Sequence, residues 1–288
     1  MKLTAAALIF ALSGTVAQAQ VSPAVGGAGG AGGEGRPSQS APDAAMPMGM
    51  PTSAVAPEVM DLLKMLEKRK ETLKDFTGKI DYSVYHPVTD ETSGKRGTVD
   101  FLVDPNKGPL FSVDFTVDTD DVGKPKKAHH QQVIFDGQNV TTKDFTTKQF
   151  IRVNVVRPGG KPGDAITLNG PMPLPIGVRV EEVLANFDVI LAPPTPGNPA
   201  PASKDQVVLR FTPKAGSKLD FRQLEITVDK KAELPVRLVQ TAKNKDVTTI
   251  TLTEIEINTG RARMQDPNPP ANEGWTQRDA NQQQPGGK

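Results

Sequence analysis

The chain has 288 residues, a formal net charge of +1, 36% hydrophobic residues and no cysteine. Without cysteine it has no disulfides, no thiolate metal site and no lipid attached through an N-terminal cysteine. A net charge so close to zero gives no reason to expect nucleic acid as a partner. The folded part is therefore expected to depend on a hydrophobic core of ordinary domain size.

The first 19 residues have the pattern of a secretory signal peptide. Lys2 precedes an apolar run that is too short to span a bilayer, and residues 17–19 form an Ala-x-Ala cleavage motif. No later segment has the ~18 consecutive apolar residues that a membrane-spanning helix needs. The sequence thus predicts an exported protein that does not span the membrane.

Two low-complexity segments flank the part of the chain that is predicted to fold. Gly, Ala, Pro and Ser dominate residues 20–56, which we predict to be a disordered tether. Residues 261–288 are polar and rich in Pro and Gln, and are predicted to be a disordered tail with Trp275 as its one candidate anchor. The predicted domain therefore comprises residues 57–260.

This domain is predicted to begin with an amphipathic helix and to continue mainly as strands. Pro57 and Glu58 mark the helix start, and apolar residues follow at helical spacing at Val59, Leu62, Leu63, Leu66 and Leu73. After Gly78 the hydrophobic period changes to two, and about ten strand candidates follow. Most connections between them are short, which predicts antiparallel neighbours.

A second helical pattern interrupts the strands. It covers residues 178–187 and lies between two Pro-rich loops, residues 157–177 and 188–206. The fold class predicted is therefore mainly β (α+β). A sheet of about ten strands is expected to curl into an open barrel or to split into a sandwich.

The polar residues form no recognisable catalytic or metal-binding motif. Neighbouring residues on a strand point to opposite faces, so His129 and His130 are not expected to bind one metal ion together. The segment at 118–123, DTDDVG, lacks the glutamate that a calcium loop has at its twelfth position. We predict no enzyme, no cofactor and no metal. A carboxylate pair that meets in space, as in hydrolases, stays an open alternative.

Apolar residues recur on one side of several strands and of the second helix. If the helices do not fill the space above a curled sheet, a hydrophobic cavity remains there for an apolar ligand. A filled core would suit the same residues equally. The candidate cavity residues are Val99, Phe101, Val113, Phe115, Ile134, Val180, Leu184, Phe187, Leu224, Ile226 and Val228.

Four segments, in this order, resemble the LolA-like family of periplasmic lipoprotein carriers. The matching segments are residues 97–105 (GTVDFLVDP), 136–149 (DGQNVTTKDFTTKQ), 234–235 (LP) and 249–258 (TITLTEIEIN). The resemblance covers about residues 59–260. Where the family usually has Arg-Pro, this chain has Asp104-Pro105.

The resemblance implies a strongly curved antiparallel half-open β-barrel of about ten strands, with an N-terminal helix and a helical lid on the concave face. It implies that the acyl chains of a lipoprotein, or another lipid, bind between sheet and helices for transfer across the periplasm toward the outer membrane. A chaperone role in protein transport, donor and acceptor proteins in the two membranes, and a monomeric state are expected on the same ground. The alternative is a non-catalytic periplasmic sensor or interaction module on the same scaffold.

Overall fold

A computed structural model describes residues 55–120, 122–156, 178–193, 203–217, 219, 221–271 and 273–278. The predicted signal peptide, residues 20–54 of the predicted tether and the end of the predicted tail lie outside the described residues. The same holds for residues 157–177 and 194–202, the main parts of the two Pro-rich loops. All described residues belong to one structural unit.

The first helix, α1 (Pro57–Thr72), begins where the sequence predicts. It ends one residue before Leu73, which the helical spacing had included and which has extended backbone angles. Pro57 occupies its first turn together with Glu58, and basic residues lie in its last turn, so both ends suit the helix dipole. Its buried side chains form one stripe at helical spacing: Val59, Leu62, Leu63 and Leu66. In the described part of the chain, no helix is long and apolar enough to cross a membrane.

The second helix, α2 (Val180–Asn186), is a short segment of seven residues. It buries Val180 and Val183, while Glu181 and Glu182 face outward in its first turn. Phe187 has extended backbone angles, φ −132° and ψ 147°, and ends the helix. Phe187 thus begins a strand, whereas the sequence pattern placed it in the helix.

Twelve strands form one sheet in the described part of the chain. In chain order they are β1 (Asp75–His86), β2 (Glu91–Asp104), β3 (Gly108–Thr119), β4 (Pro125–Phe135), β5 (Asn139–Asp144), β6 (Gln149–Asn154), β7 (Phe187–Leu191), β8 (Gln206–Pro213), β9 (Phe221–Asp229), β10 (Leu234–Ala242), β11 (Val247–Ile257) and β12 (Thr276–Arg278).

The sheet is mainly antiparallel and open. Its strand order is β12-β6-β5-β4-β3-β2-β1-β11-β10-β9-β8-β7, so β12 and β7 are the two edges. The mainly β prediction is confirmed, but the expected ten strands are twelve and the sheet does not close on itself. The sequence missed β7, which runs straight on from α2, and β12, whose three residues are too few and too polar to show alternation.

One face of this sheet, here called the inner face, carries two groups of buried apolar side chains. The phenylalanine cluster lies mainly on β1–β5 and includes Phe76, Phe101, Phe111, Phe115 and Phe135. The helix-covered cluster lies on β7–β10 and includes the buried residues of α1 and α2. Ile250 on β11 packs against both clusters, so the apolar inner face is continuous.

The opposite, outer face is crossed by the C-terminal segment. The predicted disordered tail begins at residue 261, but its described residues make ordered contacts with β2, β4, β5 and β6. Three of them form β12 against β6. This part of the tail prediction is corrected. The segment is polar because it binds the sheet mainly through hydrogen bonds rather than through apolar burial.

A stability comparison tests the placement of the core. Ile226 is 0% exposed on β9, whereas Ile190 is 51% exposed on the edge strand β7. We expect Ile226→Ala to lower the free energy of unfolding by about 2–5 kcal/mol because it leaves a cavity. The same change at the control position, Ile190→Ala, is expected to cost less than about 0.5 kcal/mol. Urea titration of both variants measures the difference, and equal costs would contradict this core assignment.

Candidate functional site

Four of the predicted cavity residues lie together in the phenylalanine cluster: Val99, Phe101, Val113 and Phe115. Strand pairing brings them together, since Val99 is paired with Val113 across β2 and β3. The Phe101 ring stacks on Phe76 with centroids 5.1 Å apart and planes 11° apart. Such offset stacking adds to the gain from burying the rings.

Six further candidates lie in or against the helix-covered cluster: Val180, Leu184, Phe187, Leu224, Ile226 and Val228. Leu184 is half-buried and the other five are buried. Phe187 joins helix and sheet here, because its ring meets Phe211 edge-on and stacks on Phe221, both at 6.0 Å between centroids. The sequence-predicted residues therefore divide between two groups rather than lining one space.

Ile134 lies on the outer face, not with the other candidates. Its neighbours Val133 and Phe135 point into the phenylalanine cluster, and alternation turns Ile134 the other way. It is paired with Ser112 on β3 and Thr141 on β5, and is 1% exposed. The prediction that Ile134 lines the inner face is therefore wrong.

The inner-face candidates are closely packed in this conformation. Side chains that line an empty cavity keep accessible surface on the side of that cavity. Apart from the half-buried Leu184, the inner-face candidates retain at most 7% exposure, and Leu224, Ile226 and Val228 retain 0%. These described residues thus form a filled core, and a ligand enters between them only if a covering element moves.

A group of polar side chains, here called the polar rim, lies on the inner face beside the phenylalanine cluster. It consists of Lys95, Asp118, His129, Gln131 and Asp144. Gln131 is paired with both Phe115 and Asp144, and Lys95 is paired with Asp118, which places the group on the face of the cluster. The apolar surface therefore has one charged border.

The polar rim is internally hydrogen-bonded. The His129 ring contacts Asp118 through Nδ1 at 3.1 Å and Asp144 through Nε2 at 3.3 Å. Lys95 Nζ donates to Gln131 Oε1 at 2.6 Å. Burial lowers the pKa of Lys95, while the nearby charges of Asp118 and Asp144 act in the opposite direction. These contacts keep the five side chains grouped at the border of the phenylalanine cluster.

Neither sequence-level metal candidate gains support from the geometry. His130 points to the outer face, where Nε2 meets Asp114 Oδ1 at 2.8 Å, so the two histidines are separated as predicted. In the DTDDVG loop, Asp120 Oδ1 accepts backbone N–H bonds from Val122 and Lys124, which is ordinary turn chemistry. Within the described ranges, no group of three or more His, Asp or Glu side chains is arranged to hold a metal ion.

Comparison with known proteins gives matches only among solved structures. No protein-family model and no curated protein matches the chain. An uncharacterized conserved protein from Thermus thermophilus is 14% identical, with a TM-score of 0.41, and the match covers 77% of this chain and 99% of that one. A LolA superfamily protein from Nitrosomonas europaea is 12% identical, with a TM-score of 0.32, and the match covers 69% and 92%.

A third matching structure is the MucA/MucB complex from Pseudomonas aeruginosa. It is 14% identical with a TM-score of 0.38, and the match covers 72% of this chain. This chain spans 59% of the matched chain's length. A LolA superfamily protein is thus among the matched structures, as the sequence resemblance led us to expect. With TM-scores below 0.5, none of these matches transfers a function to this chain.

The polar rim predicts a dependence of stability on pH. Burial raises the pKa of Asp144, but hydrogen bonds from the Thr147 N–H and the His129 ring lower it more, so it lies below the ordinary value of 3.8. A carboxyl with a lowered folded-state pKa stabilises the fold above about pH 4 and loses this effect as the pH falls through that pKa. We expect Asp144→Asn to cost about 1 kcal/mol at pH 7 and to flatten the acid limb.

Urea midpoints between pH 7 and pH 2 measure this effect. The matched control is Asp188→Asn, since Asp188 is exposed on β7. This control is expected to stay within about 0.5 kcal/mol of the wild type at pH 7. Superimposable acid limbs for Asp144→Asn and the wild type would contradict the role given to Asp144.

Proposed function

We propose that this chain is an exported, non-enzymatic carrier that binds the acyl chains of a lipoprotein, or another lipid, between the inner face of the sheet and its helices. The observation that supports this best is the continuous apolar inner face, which α1 and α2 cover on the β7–β10 half. Such a face is a suitable wall for an acyl chain once a covering helix moves.

We expect α2, rather than α1, to move when a lipid enters. It has seven residues and buries only Val180 and Val183, whereas α1 has sixteen residues and buries four apolar side chains. Its Pro-rich flanks, residues 157–177 and 194–202, lie outside the described residues and belong to the lid only by this proposal. Displacing α2 exposes less apolar surface than displacing α1, so the opening of α2 costs less free energy.

The free energy gained by burying an acyl chain is similar to the free energy lost by uncovering the helices, as reversible binding by a carrier requires. Burying an acyl chain of ~16 carbons returns roughly 12 kcal/mol at ~0.8 kcal/mol per methylene. Uncovering both helices would expose six apolar side chains at about 1.5–3 kcal/mol each, or roughly 9–18 kcal/mol. Uptake that displaces only part of this cover is therefore favourable but reversible.

In this proposal the chain carries its cargo across the periplasm. The signal pattern of residues 1–19 supports export, and the LolA-like motif order supports transfer toward the outer membrane. An inner-membrane donor, an outer-membrane acceptor and a monomeric carrier belong to the same proposal. The candidate lining residues are those of the inner face named above, without Ile134.

The filled packing favours a second candidate function. A core that is complete without a ligand is what a non-catalytic sensor or interaction module on the same scaffold needs. Such a module would use the exterior of the sheet and leave its inner face closed. Lipid binding distinguishes the two candidates directly.

The test is lipid uptake by the full-length protein and two variants with the same chemical change. Val183→Ala weakens the packing of α2, and Val208→Ala on β8 is the matched control; both side chains are buried. Val208 lies between Val207 and Leu209, which face the helix-covered cluster, so it points to the outer face and lines no proposed lipid surface. If α2 is the lid, Val183→Ala shifts the closed state toward the open one, and binding of a fluorescent fatty acid tightens by about tenfold for each ~1.4 kcal/mol of lost closure. Val208→Ala is expected to leave the affinity within about threefold.

Mass spectrometry of lipid extracted from the purified protein complements the titration. Co-purified lipid, or exchange of added fatty acid into the wild type, supports the carrier. Absence of both, together with no uptake by Val183→Ala, would rule out the carrier and favour the interaction module. Equal tightening in both variants would show that general destabilisation, rather than opening of α2, controls entry.

A further inference from the structure

Residues 261–278, here called the C-terminal strap, follow one path across the outer face of the sheet. The path begins at β2, where the Arg263 backbone N–H donates to Asp100 Oδ1 at 3.3 Å. It continues over β4 and β5 and ends beside β6 as the strand β12. Of the strap, all residues except 272 are described.

Three cationic side chains, on β5, on β6 and in the turn between them, hold the main chain of the strap. Lys143 Nζ donates to the carbonyl oxygen of Asp266 at 2.6 Å, and an Arg152 amino group donates to that of Pro267 at 3.0 Å. Lys148 Nζ donates to the carbonyl oxygen of Glu273 at 3.0 Å. These three bonds end on carbonyl groups, which every residue has, whereas Arg152 also donates to the side-chain oxygen of Asn268 at 3.0 Å. The strap bends at Pro267 and Asn268, where the Asn268 N–H donates to Asp266 Oδ1 at 2.8 Å.

A ring stack on the sheet receives the one aromatic side chain of the strap. The His130 ring stacks on Phe145 with centroids 3.9 Å apart, and Trp275 meets Phe145 edge-on at 5.0 Å. Trp275 Nε1 is buried without an acceptor among the described residues. Leaving such a donor unsatisfied costs about 1–3 kcal/mol, so the tryptophan is held by ring contact and not by an ideal fit.

Strand β12 covers the edge of the sheet with only three residues. Thr276, Gln277 and Arg278 pair in parallel with β6, and all three are exposed. Without them, β6 would become an edge strand whose backbone groups are free to pair with another extended segment. Strand addition of this kind is a common way in which proteins bind extended peptides.

Little of the strap itself is buried compared with the sheet below it. Ala262 is its only buried residue among those described, and the others are half-buried or exposed. The sheet residues under it are buried, including Ile134 at 1%, Thr141 at 0% and Lys143 at 4% exposure. These exposures are those with the strap in place, so the strap shields this surface although it is held mainly by a few hydrogen bonds and one ring contact.

We propose that the outer face of β4–β6 is a binding groove for a peptide segment of a partner protein, and that the C-terminal strap occupies this groove as a displaceable internal ligand. The partner segment offers main-chain carbonyls to Lys143, Arg152 and Lys148, and places an aromatic side chain on Phe145. It pairs with β6 in place of β12. Proline is compatible with such a segment, as Pro267 shows in the strap.

This inference does not depend on lipid binding, because the groove and the inner face are opposite sides of the sheet. The experiment uses the full-length protein and a synthetic peptide with the sequence of residues 261–278 as the probe. In the wild type the tethered strap competes at high effective concentration, so the free peptide binds weakly. In Trp275→Ala the competitor is weakened, and we expect the peptide to bind at least about tenfold more tightly.

Two matched comparisons separate recognition from general adhesion. A peptide with alanine in place of its tryptophan is expected to bind Trp275→Ala at least about tenfold more weakly than the parent peptide. In the Trp275→Ala protein, Arg152→Gln is expected to weaken binding of the parent peptide by about five- to tenfold. Arg222→Gln is the control, since Arg222 is exposed on β9, and it is expected to leave this affinity unchanged.

The outcomes are distinct. Tighter binding to Trp275→Ala, lost with the alanine peptide, supports the groove. Equal binding of the peptide to Trp275→Ala and to the wild type overturns the proposal. This holds whether limited digestion with trypsin shows that the strap of Trp275→Ala is released or still protected. A concentration-dependent dimer in light scattering, without uptake of the peptide, also overturns it and assigns the groove to strap exchange between two copies.

Discussion

Side-chain alternation within one open sheet is the constraint on which the rest of this structure depends. A strand turns successive side chains to opposite faces. The side chains of β2–β5 are therefore buried only if another element packs on each face of the sheet. On β4, Val133 and Phe135 enter the phenylalanine cluster while Ile134 between them is 1% exposed on the other face. A strand that is buried on both sides requires two separate covering elements.

The two covers differ in chemistry because the faces differ. The inner face of β7–β10 is apolar, and α1 and α2 cover it with leucine and valine side chains. The outer face of β3–β6 mixes Ile134 and Ser112 with Thr141, Lys143 and Arg152. A helix with an apolar stripe would leave the Lys143 ammonium and an Arg152 amino group without the acceptors that the strap provides. A strap outside regular secondary structure at this point offers free carbonyl groups, which is why Lys143 can be 4% exposed and still hydrogen-bonded.

The sequence was informative where structure is local. Period-two alternation located ten strands, and helical spacing located α1, because both signals lie within a dozen residues. The sequence was not informative where a contact joins residues that are far apart in the chain. The partner of Lys143 is Asp266, 123 residues later, and nothing in the composition of residues 261–278 indicates this contact. The error at Ile134 could have been avoided from the local sequence. Val133 and Phe135 both suit the inner face of β4, so alternation places Ile134 on the outer face.

The two faces also explain why adjacent histidines occur at one irregular position. The register of β3 and β4 shifts between Phe115 and Val117, opposite the two histidines. His129 joins the carboxylates of the polar rim on the inner face, and His130 forms the base on which Phe145 stacks, beneath the strap. A change in the backbone at this bulge would alter both faces together. The proposed lipid surface and the proposed peptide groove therefore share a wall at β4.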